Sequence, residues 1–282
     1  MANEYASYVD AKKAEIDAAA AELDKKIQSQ GGPKRLEILD ELRGLCLLAM
    51  MTFHLFYIMG FLFDMPRGAA LYESFMPVQP IFAALFILIS GFCVRYSKDL
   101  SKRGLKLLIY ALIISLATIV LLPMFGIHNM AVWFGILHLL ACAKLIMAAW
   151  NKIFGKVPSV IGLPVSLLLF QYTSTVGQGH FSLLGHFTVE IPQFFYNTNA
   201  FLAFGMHTPE LSMWDHFPLL PFLFLFLFGV YLGRMVNDFL PKFCYRRMIV
   251  PLGWLGKHSL GIYLLHMFVL YGIVHFFVTI AS

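Results

Sequence analysis

From about residue 40 onward, apolar residues come in long runs separated by short polar gaps. The runs fall at roughly 42–63, 78–96, 104–124, 131–150, 157–172, 218–236 and 253–280. A helix crossing a hydrocarbon core of ~30 Å needs about 20 apolar residues, and most of these runs reach or approach that length. The pattern predicts an all-α fold, a polytopic transmembrane helical bundle of about seven spans. Upstream, Val9, Ile16, Leu23 and Ile27 recur at spacings of seven, seven and four among alternating charges. That spacing predicts an N-terminal amphipathic or coiled-coil-like helix over residues 5–29, broken by Gly31-Gly32-Pro33. The expected division is a cytoplasmic helix and linker at 1–33 and a transmembrane domain at 34–282. The first 30 residues contain no apolar core, so a cleavable signal is not expected and the first span would serve as an uncleaved anchor.

Composition supports the bilayer as solvent: 59% of the 282 residues are hydrophobic and only 13% charged, too little polar surface to coat a water-soluble globule. The net charge of +5 does not point to nucleic acid, because the basic residues sit in the gaps between apolar runs. One set of gaps holds Lys34, Arg35 and Arg43; Arg95, Lys98, Lys102, Arg103 and Lys106; Lys152 and Lys156; and Arg234, Lys242, Arg246, Arg247 and Lys257. The opposite set holds Arg67 and almost nothing else basic. This alternation places the N-terminus inside and, for an odd number of spans, the C-terminus outside. The long segment 173–217, with no Lys or Arg but with His180, His186, His207 and His216, then lies outside the cytoplasm. It could cover an outward-facing cavity or serve as a plain connector. The cysteines, Cys46, Cys93, Cys142 and Cys244, are scattered singly, so neither a disulfide framework nor a thiolate metal site is expected.

Ionisable side chains inside spans are costly, and each is a functional candidate to be weighed against a packed structural role. His54 lies 11 residues beyond Arg43, or ~16 Å along a helix; His266 lies nine beyond Lys257, about 13–14 Å deep from the same side. The two imidazoles fall at similar depth, and His138 reaches the middle from the other side. Histidine suits a general base because it titrates near neutrality. At the cytoplasmic ends, Asp40, Arg43, Arg95, Arg234 and Lys257 would ring an inner mouth able to hold phosphates, although positive-inside topology alone also places basic residues there. Asp40 and Arg43, three apart on one helix, can fix the guanidinium. Ser90 could bond a ligand or its own helix backbone. Gly91, Gly135, Gly229 and Gly233 allow close approach, with helix packing the default for the last two. No phosphate-binding Gly-rich loop with Lys-Ser/Thr, Gly-x-Ser-x-Gly elbow or His-Glu-x-x-His is present, which argues against ATP-driven transport.

The run Arg35-Leu-Glu-Ile-Leu-Asp40-Glu-Leu-Arg43-Gly44-Leu, leading to Met50-Met51-Thr-Phe-His54, resembles the opening signature of the heparan-alpha-glucosaminide N-acetyltransferase catalytic-domain family and its bacterial relatives. Leu88-Ile-Ser90-Gly91-Phe92 with Lys102-Arg103-Gly104, and Phe134-Gly135-Ile-Leu-His138-Leu, resemble its second and fourth spans. Asp215-His-Phe217-Pro218 with Gly229 and Gly233-Arg234, and Leu255-Gly256-Lys257-His-Ser259-Leu-Gly-Ile-Tyr263-Leu-Leu-His266, resemble the sixth span and the closing signature. The resemblance implies a membrane acyltransferase of the bacterial cytoplasmic membrane, with an acetyl or other acyl group passing from cytoplasmic acyl-CoA to an amine or hydroxyl. The acceptor would be a glycan or similar small molecule at the other face. Asp40, Arg43 and His54 carry over from the first signature, and Ser259, Tyr263 and His266 from the last.

The expected site therefore has His54, His266 and Asp40 as catalytic residues and His138 toward the acceptor. Arg43, Ser90, Arg95, Arg234, Lys257, Ser259 and Tyr263 would bind acetyl-CoA or another acyl-CoA as co-substrate, with no metal. The lipid bilayer is the surrounding partner, and a homodimer is compatible with the sequence. The rival reading is a transporter or lipid-binding protein in which the histidines are proton-coupled or structural; the chain lacks the internal repeat typical of transporters.

Overall fold

A computed structural model describes residues 36–281, apart from 128–129, 212, 214 and 237–239, together with residue 12. The amphipathic helix expected at 5–29 lies outside the described residues. From Glu37 onward the chain forms one compact unit.

The apolar runs become helices. α1 is Glu37–Tyr57, continued by a π-helical turn at Ile58–Leu62. α3 is Gln79–Phe92, continued by a 3₁₀ turn at Cys93–Tyr96. α4, Leu100–Leu116, runs through a second π-helical turn at Ala117–Leu121 to Met124. α5 is Ile136–Ile153 and α6 is Ser159–Thr173; after the segment 173–217 come α7, Leu219–Met235, and α9, Ser259–Ala281. Six of these, with their continuing turns, are long and apolar enough to cross a membrane; α7 is a shorter apolar helix. The short α2, Pro66–Phe75, fills the gap after α1 and starts with proline at its first position, where a missing N–H costs nothing.

The last apolar run differs from a single helix over 253–280. It splits into α8, Val250–Lys257, and α9, with His258 between them at φ −103° and ψ 14°. α8 packs closely along α1, and Glu41, buried on α1, accepts hydrogen bonds from the Met248 and Ile249 N–H groups at 2.6 and 2.8 Å. A carboxylate at the start of α8 satisfies donors that a helix N-terminus leaves orphaned, and this fixes where α8 begins.

In the bundle, α1 packs on α3, α8 and α9; α3 and α6 pack on α7; and α4 packs on α5. The α3–α7 contact is backbone to backbone. A Cβ at Gly91 would strike the Phe226 carbonyl, and one at Gly229 the Leu88 carbonyl, so only glycine allows this approach. The packing reading for Gly229 and Gly233 therefore holds, and Gly91 joins them. The main buried cluster includes Leu47, Ile87, Leu139, Met147, Phe226 and Val230, drawn from α1, α3, α5 and α7. Within 173–217 a hairpin with a three-residue loop, Leu184 to His186, pairs His180–Leu183 with Phe187–Glu190, antiparallel, with Phe181 opposite Val189.

Candidate active site

His54 on α1 and His266 on α9 meet. Nδ1 of His54 lies 2.7 Å from Nε2 of His266, and both residues are 5% exposed. The ring planes are 22° apart with centres 4.9 Å apart, so the rings join edge to edge through their nitrogens, not face to face. The proton positions follow from the network. His266 Nδ1 is 2.6 Å from the Tyr263 carbonyl oxygen, which can only accept, so Nδ1 carries hydrogen. In a neutral ring Nε2 is then the acceptor, and His54 donates to it from Nδ1. The basic lone pair of His54 is thereby assigned to Nε2, held in that tautomer by two successive hydrogen bonds.

Two small cavities border His54. One, about 120 Å³, is bordered by His54, His266, Asp215 and Tyr263 and walled by apolar side chains of α4 and α9. The other, about 30 Å³, is bordered by His54, Asp215 and Tyr263 from the α1–α3 side. Both π-helical turns adjoin this region. The turn in α1 begins four residues after His54, and the turn in α4 supplies Ala117 and Thr118 to the larger cavity. Local π-helix is a frequent way of turning side chains into a functional site.

Asp215, outside the helices, was not among the expected site residues. It accepts a long hydrogen bond, 3.4 Å, from the Tyr263 hydroxyl. Burial pushes its carboxyl up to about 6, with the Tyr263 hydroxyl opposing that rise. Its position is built by the segment 130–135. The Ser115 hydroxyl donates to the Val132 carbonyl at 2.7 Å, the Val132 N–H donates to Thr118 Oγ1 at 3.1 Å, and the Phe217 N–H donates to the Phe134 carbonyl at 3.0 Å. This lacing brings Gly135 beside Asp215, where a Cβ would stand 2.9 Å from Oδ2.

A third cavity, about 300 Å³, gathers positive charge. Arg43, Arg103, Lys106 and Lys144 line it together with Ser90 and Ser259. Lys144 is buried on α5; its Nζ donates to Ser90 Oγ at 2.9 Å and stands 5.3 Å from the Phe226 ring centre. Tyr263 borders this cavity and both cavities beside His54, so its side chain stands at the junction of all three.

The expected residues thus divide. His54, His266 and Tyr263 come together, and Arg43, Ser90 and Ser259 line the basic cavity beside Tyr263. Asp40 does not reach the histidines. It precedes His54 by 14 residues, ~21 Å of helix, and its Oδ1 lies 3.4 Å from Arg43 Nη1. Arg95 donates to the Gly233 carbonyl at 2.7 Å near the end of α7, and Arg234 stacks on Tyr231. Lys257 pairs with Glu37 at 2.8 Å. His138 borders none of these three cavities: its Nδ1 accepts from the Gly135 N–H at 3.2 Å, and its Nε2 is 3.2 Å from Ser115 Oγ. That is the arrangement of a histidine tying the start of α5 to α4. Lys144 and Asp215 were overlooked although both carried a signal: a lysine inside an apolar run, and a carboxylate in a long segment without Lys or Arg.

The family model described as "Heparan-alpha-glucosaminide N-acetyltransferase, catalytic" matches residues 35–268. No curated protein and no solved structure matches the chain.

Proposed function

The chain belongs to the heparan-alpha-glucosaminide N-acetyltransferase catalytic family, an acetyltransferase type of membrane enzyme, and from that premise we propose that it transfers an acetyl or other acyl group from acyl-CoA to an amine or hydroxyl. The observation that carries this reading is the hydrogen-bonded His54–His266 pair, set beside a junction that also opens on a basic cavity.

In this reading the CoA phosphates lie against Arg43, Arg103, Lys106 and Lys144, whose charges a diphosphate and a ribose phosphate would offset. Asp40 is a positioning residue that holds Arg43. Arg43 and His54 are 11 residues apart on α1, ~16 Å, a span that a pantetheine arm can bridge past Tyr263. His54 Nε2 takes the proton of the acceptor amine or hydroxyl as its nitrogen or oxygen attacks the thioester carbon. The Tyr263 hydroxyl donates to the oxyanion that forms. Collapse breaks the carbon–sulfur bond, and the imidazolium returns its proton to the thiolate, giving acylated acceptor and free CoA. His266 and the Tyr263 carbonyl keep His54 in the reactive tautomer throughout. Arg95, Arg234 and Lys257 are assigned to the helix scaffold, and His138 to the α4–α5 contact. The orientation that suits this path puts the basic cavity and the N-terminus at the cytoplasmic face.

The test is transfer of labelled acetyl from acetyl-CoA to candidate amines by purified protein in lipid nanodiscs. Transfer that is lost in His54→Ala supports the reading. Transfer at the wild-type rate in both His54→Ala and His266→Ala contradicts it, as does substrate uptake driven by a pH gradient with no acyl transfer.

A further inference from the structure

The cavity beside the histidine pair is chemically two-faced. It carries His54, Asp215 and Tyr263, whereas its walls are Ile114 and Leu122 on the α4 side and Leu264, Met267, Phe268 and Tyr271 on α9. Thr118, another polar wall residue, has its hydroxyl committed: it donates to the Ile114 carbonyl at 2.9 Å and accepts from the Val132 N–H. A sugar chain placed along such a wall would lose water from its hydroxyls with little besides the Tyr271 hydroxyl to pair with, which costs about 1–3 kcal/mol for each group left unpaired. An apolar segment would lose nothing.

Size points the same way. At about 120 Å³ the cavity is slightly smaller than the ~150 Å³ apolar cavity known to hold benzene, so it takes a reactive head and a few carbons, not an oligosaccharide. The remainder of any larger acceptor must leave through an opening. α4 and α9 wall the cavity from two sides, and their backbones make few close approaches to one another. Phe268, which lines the cavity, is 56% exposed, and Leu116 and Leu121, next in sequence to the lining residues Ala117 and Leu122, are 60% and 49% exposed. In a chain of membrane-spanning helices, an apolar exit flanked by exposed leucine and phenylalanine meets lipid.

We infer that the acceptor is a single-chain amphiphile, its amine or hydroxyl head seated among His54, Asp215 and Tyr263 and its apolar portion leaving between α4 and α9 into the bilayer. This rests on the acyltransferase reading and narrows its acceptor. The experiment uses the full chain in nanodiscs, acetyl-CoA, and 2-alkoxyethylamines that share one small amine head but carry alkyl chains from methyl to octyl. Burial of each methylene is expected to raise kcat/KM about fourfold until the chain reaches the exit. Ala117→Trp, which fills the α4 wall, is expected to bring the octyl-to-methyl ratio toward one; Leu264→Trp does the same from α9 if the first variant elutes as aggregate. Equal kcat/KM for the methyl and octyl compounds overturns the amphiphile while leaving acyl transfer standing. A ratio unchanged in both tryptophan variants overturns it too, because the preference would then come from partition into the bilayer. Transfer to none of these amines removes the acyltransferase reading and this inference together.

Discussion

Replacing His266 by alanine removes the acceptor of the His54 Nδ1–H bond and leaves the imidazole of His54 in place. The bond is 2.7 Å long and buried, so the abandoned N–H keeps its desolvation penalty, about 1–3 kcal/mol. His54 can escape that penalty by moving its hydrogen to Nε2, and the ring then presents a donor where the reaction needs a base. Either response raises the barrier, and 1–3 kcal/mol corresponds to a loss of about 5- to 150-fold in kcat. Loss of His54 itself removes the general base and is expected to cost about 10²–10⁴-fold. Because His266 acts only through His54, the double variant His54→Ala/His266→Ala should be no slower than His54→Ala alone. The assay is release of CoA thiol under saturating acetyl-CoA and acceptor, with elution volume as the check on folding. A His266→Ala enzyme at wild-type rate refutes the relay, and so does a double variant whose losses multiply.

Lys144→Met removes the buried ammonium of the basic cavity and its bond to Ser90; the Kd for CoA measured by calorimetry should rise at least tenfold, in line with ~1.5–3 kcal/mol for a bond to a charged group. An unchanged Kd would place the CoA phosphates elsewhere. Asp215 has its folded pKa raised from 3.8 to about 6, so folding disfavours its ionised form. The resulting cost is absent below about pH 4, grows through pH 6 and stays constant above, reaching up to about 3 kcal/mol. Asp215→Asn should therefore raise Tm at pH 7.5 and leave it nearly unchanged at pH 4, and a Tm gain independent of pH would contradict the burial of that carboxyl. Gly229→Val forces a side chain into the Leu88 carbonyl and should abolish the monodisperse elution peak. Gly272→Ala on α9, where a Cβ meets nothing within 4 Å, should be tolerated or gain up to about 1 kcal/mol.

Much of the helical layout was legible because hydrocarbon tolerates little besides long apolar helices, so run length and run spacing carry the architecture. The match in depth between His54 and His266 came from counting residues from Arg43 and Lys257, and the contact between them came from α1 packing on α9. Other features depend on tertiary contacts that no local pattern encodes. The start of α8 follows from Glu41 accepting from the Met248 and Ile249 N–H groups, and Glu41 is more than 200 residues away in sequence. The basic residues also show why charge alone misleads. Arg43 turns into a cavity, whereas Arg95 and Lys257 are spent on a helix-end carbonyl and on Glu37. Positive-inside bias places all three at one face without distinguishing them. The hairpin at His180–Glu190 alternates around Gly185, but its short strands lie in a stretch whose lack of basic residues drew attention to topology instead.

The central claim is that donor and acceptor reach His54 from different cavities that join at Tyr263. A structure of the protein in nanodiscs with a non-hydrolysable acetyl-CoA analogue tests it most directly. The account predicts phosphate density against Arg43, Arg103 and Lys144, with the acyl carbonyl beyond Tyr263 and beside His54 Nε2. An analogue bound elsewhere, or one whose acyl end stops on the far side of Tyr263 from both histidines, would contradict it.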